Sequence, residues 1–205
     1  MTPIDSTSSA LDEEIARAEV YGLLAALYYA PPSPPLLSQL RVAVTVAPAA
    51  GGFLEESWGE LVAQARALSD VDIDNEYDSL FGGVGKPEVY LYGSHYLSGF
   101  LNEKPLVALR HDLAELGLTR DATVSETEDH IACLCEVMRY LIAGEDGAMA
   151  NLARQRDFFT SHIQPWVMTL CDALVAHPKA RFYAALAAFT RAFVSVEAQG
   201  FDMLD

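Results

Sequence analysis

Apolar residues recur at spacings of three and four along nearly the whole chain, and sustained alternation at period two is missing. The pattern predicts an all-α protein. A first helix spans about residues 10–30, with Leu11, Ile15, Leu23, Leu24, Leu27 and Tyr28 on its buried face, and Pro31-Pro32 stop it. A shorter helix starts at Pro34 or Pro35 and fades before Gly51-Gly52. Leu54, Trp58, Leu61, Val62 and Ala65 mark another over 53–68, and a further short helix covers 71–81. The main break is Gly82-Gly83-Val84-Gly85-Lys86-Pro87, which opens a Gly/Pro-rich loop at 82–93. Helix resumes near Ser94 and again over 105–116, with Gly117 as its C-terminal cap. Ser125-Glu126-Thr127-Glu128 reads as a capping box that opens a strong helix ending at Gly144. Two or three more helices fill 147–199, broken near Pro165 and at His177-Pro178. The expected architecture is one helical-bundle domain of about ten helices over residues 10–200. A disordered tail at 1–9 and a short tail at 201–205 flank it.

Composition narrows the partners. A chain of 205 residues can bury about 70% of its unfolded surface, so it needs neither metal nor disulfide to fold. Asp and Glu number 29 against 13 Lys and Arg, a net charge of −16. That field repels a phosphate backbone, which argues against nucleic acid, and attracts cationic ligands such as Arg-rich peptides. Residues 1–9 lack the basic and apolar regions of a signal peptide. No apolar run reaches the ~18 residues of a membrane span, so no stable membrane insertion is expected. Cys133, Cys135 and Cys171 are an odd set that suits a reducing, cytoplasmic setting.

The helix predicted after Ser125 carries the most information. At 100° per residue, Ile131, Leu134, Val137, Met138 and Leu141 share a broad apolar face that includes His130. Glu126, Asp129, Cys133, Glu136 and Tyr140 fall on the adjoining stripe, with Asp129 and Glu136 about 10 Å apart along the axis. That spacing suits two successive cationic side chains. Two simpler readings stay open: Glu126 and Asp129 can serve only as dipole partners of the helix N-terminus, and His130 can be a satisfied core residue. A solvent-facing Asp129 implies that its removal costs at most about 0.3–1 kcal/mol of stability.

These residues also carry a resemblance. Glu126-Thr127-Glu128-Asp129-His130 followed by Glu136-Val137-Met138 resembles the signature of the TorD/DmsD-like redox-enzyme maturation chaperones, where the pattern runs Glu-Pro-x-Asp-His and then Glu-x-Met. Glu76-Tyr77-Asp78-Ser79-Leu80-Phe81, Tyr92-Gly93-Ser94-His95-Tyr96, His162-Ile163-Gln164-Pro165-Trp166 and Arg181-Phe182-Tyr183 resemble further blocks of the same family, in order, over about residues 11–200. Thr127 stands where the family usually has proline. The resemblance implies a TorD-like chaperone fold, no catalysis and no bound cofactor. It implies a cytoplasmic protein that holds the twin-arginine signal peptide or apo form of a molybdenum-cofactor oxidoreductase until the cofactor is inserted, before export. A nitrate-reductase-type assembly chaperone, whose client stays in the cytoplasm, is the variant within the class. The implied peptide-binding residues are Tyr92, Ser94, Tyr96, Glu126, Asp129, His130 and Glu136. Paired guanidinium groups meet carboxylates in bidentate geometry, which agrees in sign with the acidic stripe.

Other chemistry fits less well. Gly85-Lys86 is no phosphate-binding loop, because Leu80 and Pro87 stand where Gly and Ser or Thr are required. A metal-dependent hydrolase built on Glu126, Asp129 and His130 is the alternative of another class, but no second histidine pairs with His130 at helical ligand spacing. Cys133 and Cys135 point about 200° apart on a helix and cannot readily grip one zinc. The Gly82–Pro87 loop has the composition of a hinge for a domain-swapped homo-oligomer.

Overall fold

A computed structural model describes the backbone of residues 6–45, 52–82, 86–101, 103–144, 147 and 150–203, with side chains from residue 13 onward. The described residues form α1 (Ser6–Tyr29), α2 (Pro34–Val42), α3 (Glu55–Ala67), α4 (Asp70–Phe81), α5 (Gly93–Ser98), α6 (Lys104–Glu115), α7 (Ile131–Ala143), α8 (Leu152–His162), α9 (Gln164–Val175) and α10 (Phe182–Asp202). The all-α expectation holds, and the only extended pairing among these residues is a single antiparallel bridge between Tyr92 and His130. Both ends are more helical than the expected tails: Ser6–Ser9 belong to α1, and Phe201 and Asp202 belong to α10. Residues 1–5, the loop centre Gly83–Gly85 and residues 204–205 lie outside the described residues.

α1 packs chiefly along α7, while α10 lies against α9, α3 and α4. Trp166, Tyr21, Tyr28, Tyr183, Phe159 and Phe182 are the largest fully buried side chains. Burial of each such side chain contributes about 1.5–3 kcal/mol. α1 and α10 are also joined by polar groups. Arg17 donates to both oxygens of Glu197 at 2.7 and 2.8 Å, and the Tyr21 hydroxyl donates to the same carboxylate at 3.0 Å. One turn pair further along, the Tyr28 and Thr190 hydroxyls meet at 2.9 Å. This geometry satisfies a carboxylate that is almost wholly buried.

Local signals were read correctly where nothing distant competes. Gly117 adopts φ +70°, and the Leu118 N–H closes back on the Leu113 carbonyl at 2.8 Å, as a glycine-capped terminus requires. The capping box of this protein, however, opens α4: Ser69 Oγ accepts the Asp72 N–H, and Asp72 accepts the Ser69 N–H, both at 3.2 Å.

The Glu76–Phe81 block proves architectural. Glu76 is 8% exposed, and its carboxylate accepts N–H bonds from Arg181, Phe182 and Tyr183 at 2.8, 3.2 and 2.8 Å. A side chain on α4 thus caps α10, whose own N-cap residue Arg181 supplies no side-chain acceptor. The Tyr77 hydroxyl donates to the Tyr29 carbonyl at 2.8 Å, satisfying the end of α1. Leu80 is fully buried, and the Phe81 ring meets Tyr183 edge-on at 5.0 Å.

Candidate functional site: an acidic-rimmed cleft beside the signature segment

The signature residues do not sit on a helix that starts at Ser125. α7 begins at Ile131, and His130 is its N-cap, with Nδ1 accepting the Ala132 N–H at 3.2 Å. The capping-box reading of Ser125–Glu128 is therefore corrected. The preceding segment instead pairs with the stretch before α5: Gly93 N–H donates to the Asp129 carbonyl at 2.9 Å, and Ile131 N–H donates to the Leu91 carbonyl at 2.8 Å. Two backbone bonds to residues 36 and 40 positions away outcompete one more turn of local helix. Close approach also favours Gly93, since a Cβ there would lie 3.0 Å from Trp166 Nε1 and press on the ring.

This register decides where each expected site residue stands. Asp129 is 4% exposed, not solvent-facing. One of its oxygens accepts the Ser94 N–H at 2.9 Å and the other accepts the Thr127 hydroxyl at 2.6 Å. Thr127, which departs from the family's usual proline, therefore supplies a hydrogen bond that proline cannot. Ser94 is fully buried at the start of α5. The Tyr96 ring stacks on Trp166 at 5.4 Å and its hydroxyl donates to the Tyr90 carbonyl at 2.8 Å. His130 is buried against the edge of Tyr92, with ring centres 5.1 Å apart. Ser94, Tyr96, Asp129 and His130 thus form the interior support of the segment. Tyr92 and Glu126 are half-buried above it, the phenol donating to the carboxylate. Burial, then the Glu126 charge, raises the Tyr92 hydroxyl well above its usual range.

Ser94 and Asp129 also line a pocket of about 370 Å3 with His162 and Trp166, and a second accessible feature lies alongside. A cleft of about 510 Å3 opens between α1, the end of α6, the 118–128 loop and α7. Its floor and walls are mainly apolar, with Tyr29, Leu113, Val124, Val137 and Tyr140 among them. Asp121, Glu128 and Glu136 stand among its lining residues. Of the expected site residues only Glu136 reaches it. The predicted stripe was half right: Cys133, Glu136 and Tyr140 do share the cleft-facing flank of α7, whereas Glu126 and Asp129 precede the helix and follow another path. The cleft also brings in Glu128, Asp121 and Tyr29, which the sequence pattern did not single out, although Glu128 lies inside the quoted signature.

The cleft is suited to binding by contact. Burial works against ionisation of Glu128, but hydrogen bonds from Arg110 and a backbone amide outweigh it and hold the carboxyl below its usual range. Burial, reinforced by Glu126 and Glu128, pushes the Cys133 thiol up to about 11, so it stays protonated and poorly nucleophilic. The hydrolase arrangement is not formed, because Asp129 spends both oxygens on Ser94 and Thr127 while His130 Nδ1 caps α7. Among the described residues, ligand-type side chains converge only at His111, Asp112 and Glu115 on α6, a set that includes none of that trio. No described helix is long and apolar enough to cross a membrane.

The buried His130 predicts a pH dependence. Desolvation lowers its pKa to about 4, against partial compensation by Glu126 and Asp129. An unfolded histidine titrates near 6.5, so between about pH 6.5 and 4 the unfolded state binds the extra proton and the folded state does not. The contribution is therefore complete above pH 6.5 and is lost as pH falls, at up to ~1.4 kcal/mol per pH unit. Urea unfolding at pH 7 and pH 5 checks it. His130→Asn, which keeps a capping acceptor, is expected to show a shallower loss than the wild type.

The comparisons with known proteins agree with this architecture. The profile of the family described as nitrate reductase delta subunit matches residues 49–172, more than half of the chain. Chaperone protein TorD of Vibrio cholerae serotype O1 is 25% identical over 148 residues, covering 69% of this chain and 67% of that protein. Chaperone protein TorD of Vibrio parahaemolyticus serotype O3:K6 is 22% identical over 142 residues, covering 65% of this chain and 66% of that protein. The chain belongs to the nitrate reductase delta subunit family, a family of TorD-like maturation chaperones rather than catalysts.

Proposed function

We propose that this protein is a cytoplasmic chaperone that holds the twin-arginine signal peptide of an apo-molybdoenzyme during cofactor insertion, before export. The observation that carries the reading is the apolar cleft with Asp121, Glu128 and Glu136 among its lining residues. An arginine pair at the edge meets carboxylates in bidentate geometry, and the apolar stretch that follows it in such a peptide enters the cleft. The net charge of −16 steers a basic segment toward the protein. No covalent step is involved; the ligand is bound and released.

Titration with a signal peptide bearing an arginine pair, and with its Lys-Lys counterpart, tests this. The arginine form is expected to bind about tenfold or more tightly, because two planar forks are replaced by point charges. Equal binding of both, or binding of neither, sinks the signal-peptide reading. The family profile, drawn around nitrate reductase delta subunits, favours a second reading in which the client is a non-exported molybdoenzyme. Pull-down from the native host separates the two by whether the captured enzyme carries a twin-arginine leader.

A further inference from the structure

Two of the cleft's carboxylates are already paired with arginines. Arg110 on α6 donates from Nε and Nη2 to Glu128 at 3.1 and 2.8 Å. Arg139 on α7 donates from Nε to Glu136 at 2.9 Å. Both guanidinium side chains are about half exposed, at 51% and 54%, and neither arginine is among the residues lining the cleft. They reach its acidic residues from positions outside the lining, each side chain about half open to solvent. Room for one stem is provided by α1: a Cβ on Gly22 would lie 3.1 Å from Arg139 Cδ.

We infer that Arg110 and Arg139 are built-in competitors that cover Glu128 and Glu136 until a ligand with paired guanidinium groups displaces them. The inference rests on the peptide reading above and sets the threshold of that site. A ligand that offers one cation, or cations with weaker geometry, must break an arginine–carboxylate contact without replacing it in kind. A paired-arginine ligand exchanges like for like, and then its apolar part decides the affinity. The rule holds for absolute affinity and not for the ratio between ligands, because the displaced contacts are common to all of them.

The probe is a synthetic peptide with an adjacent arginine pair followed by a leucine-rich stretch, titrated into the wild type, the Arg110→Gln/Arg139→Gln double variant and an Arg191→Gln control. Arg191 pairs with Asp172 and does not line the cleft, so the control loses a positive charge without uncovering a cleft carboxylate. The double variant is expected to bind about three- to tenfold more tightly, since a pair whose arginine is half exposed opposes binding by only a modest factor. Each single variant contributes part of that gain, and the control stays within about twofold. The double variant also becomes more salt-sensitive, because salt no longer weakens a competing internal pair. Melting temperatures stay within a few degrees of wild type, as both arginine side chains are about half exposed. If the wild type binds and the double variant binds no more tightly than the control, the arginines are ordinary surface partners and the inference falls while the peptide reading survives. If neither binds, the peptide reading fails, and the inference with it.

Discussion

Glu76→Ala is expected to lower the unfolding free energy by about 3–5 kcal/mol, the largest effect of any single polar substitution considered for this fold. Three backbone N–H groups at the start of α10, those of Arg181, Phe182 and Tyr183, depend on this one carboxylate. Alanine leaves them buried without an acceptor and also removes a negative charge from the positive end of a 21-residue helix. Glu76→Gln keeps one acceptor oxygen but turns an amide NH2 toward other donors, so it should lose about 1–3 kcal/mol. Urea midpoints measured on wild type and both variants test the order. Near-wild-type stability of Glu76→Ala would mean that water or another side chain takes over the cap. Peptide binding by the folded fraction should be unchanged, since the residue caps a helix at the far end of an internal contact and does not line the cleft.

Asp129→Ala is the second large effect, and its size exceeds what a helical wheel implies. A solvent-facing aspartate near a helix terminus would contribute at most about 0.3–1 kcal/mol. The buried Asp129 instead bonds the Ser94 N–H and the Thr127 hydroxyl, and so ties the start of α5 to the loop before α7. Its truncation is expected to lower stability by about 2–4 kcal/mol, with Asp129→Asn losing roughly half of that. Binding of the arginine-pair peptide should weaken as well, because the 118–128 loop that forms one wall of the cleft runs straight into this residue. Thermal unfolding and peptide titration on both variants separate the contributions. Should Asp129→Ala keep full stability and lose only binding, the carboxylate would be reaching the ligand directly, and the interior role assigned to it would be wrong.

The helices that periodicity predicted well are those whose ends are set by nearby residues. α2 begins at Pro34, α6 ends at the left-handed Gly117, and the α8–α9 break falls next to Pro165. The reading failed where residues remote in sequence decide the backbone. Ser125–Glu128 has the composition of a helix start, yet the bonds of Gly93 and Ile131 across the Tyr92–His130 bridge fix Asp129 and Ile131, a turn from Thr127 to His130 precedes α7, and an imidazole performs the capping. The same cause hid the role of Glu76, whose partners lie 105 to 107 residues further along. The family blocks were visible as patterns, but a pattern does not distinguish a residue that touches a ligand from one that holds the wall behind it. Only Glu136 of the seven expected site residues lines the cleft, because the others serve the bridge and its packing.

The joint between α1 and α10 also bears on the order in which the chain can mature. Arg17, Tyr21 and Tyr28 wait for partners 180, 176 and 162 residues later. During synthesis, at about 5–20 residues per second, α1 leaves the ribosome many seconds before α7 and α10 exist to cover it. Its buried face, with Leu24, Leu27 and Tyr28, stays exposed to other chains for that whole interval. Contacts of such long range also slow the final collapse, since the loop must close before they contribute. A member of a chaperone family is thus itself exposed until α10 arrives, and it is then that it is most open to aggregation.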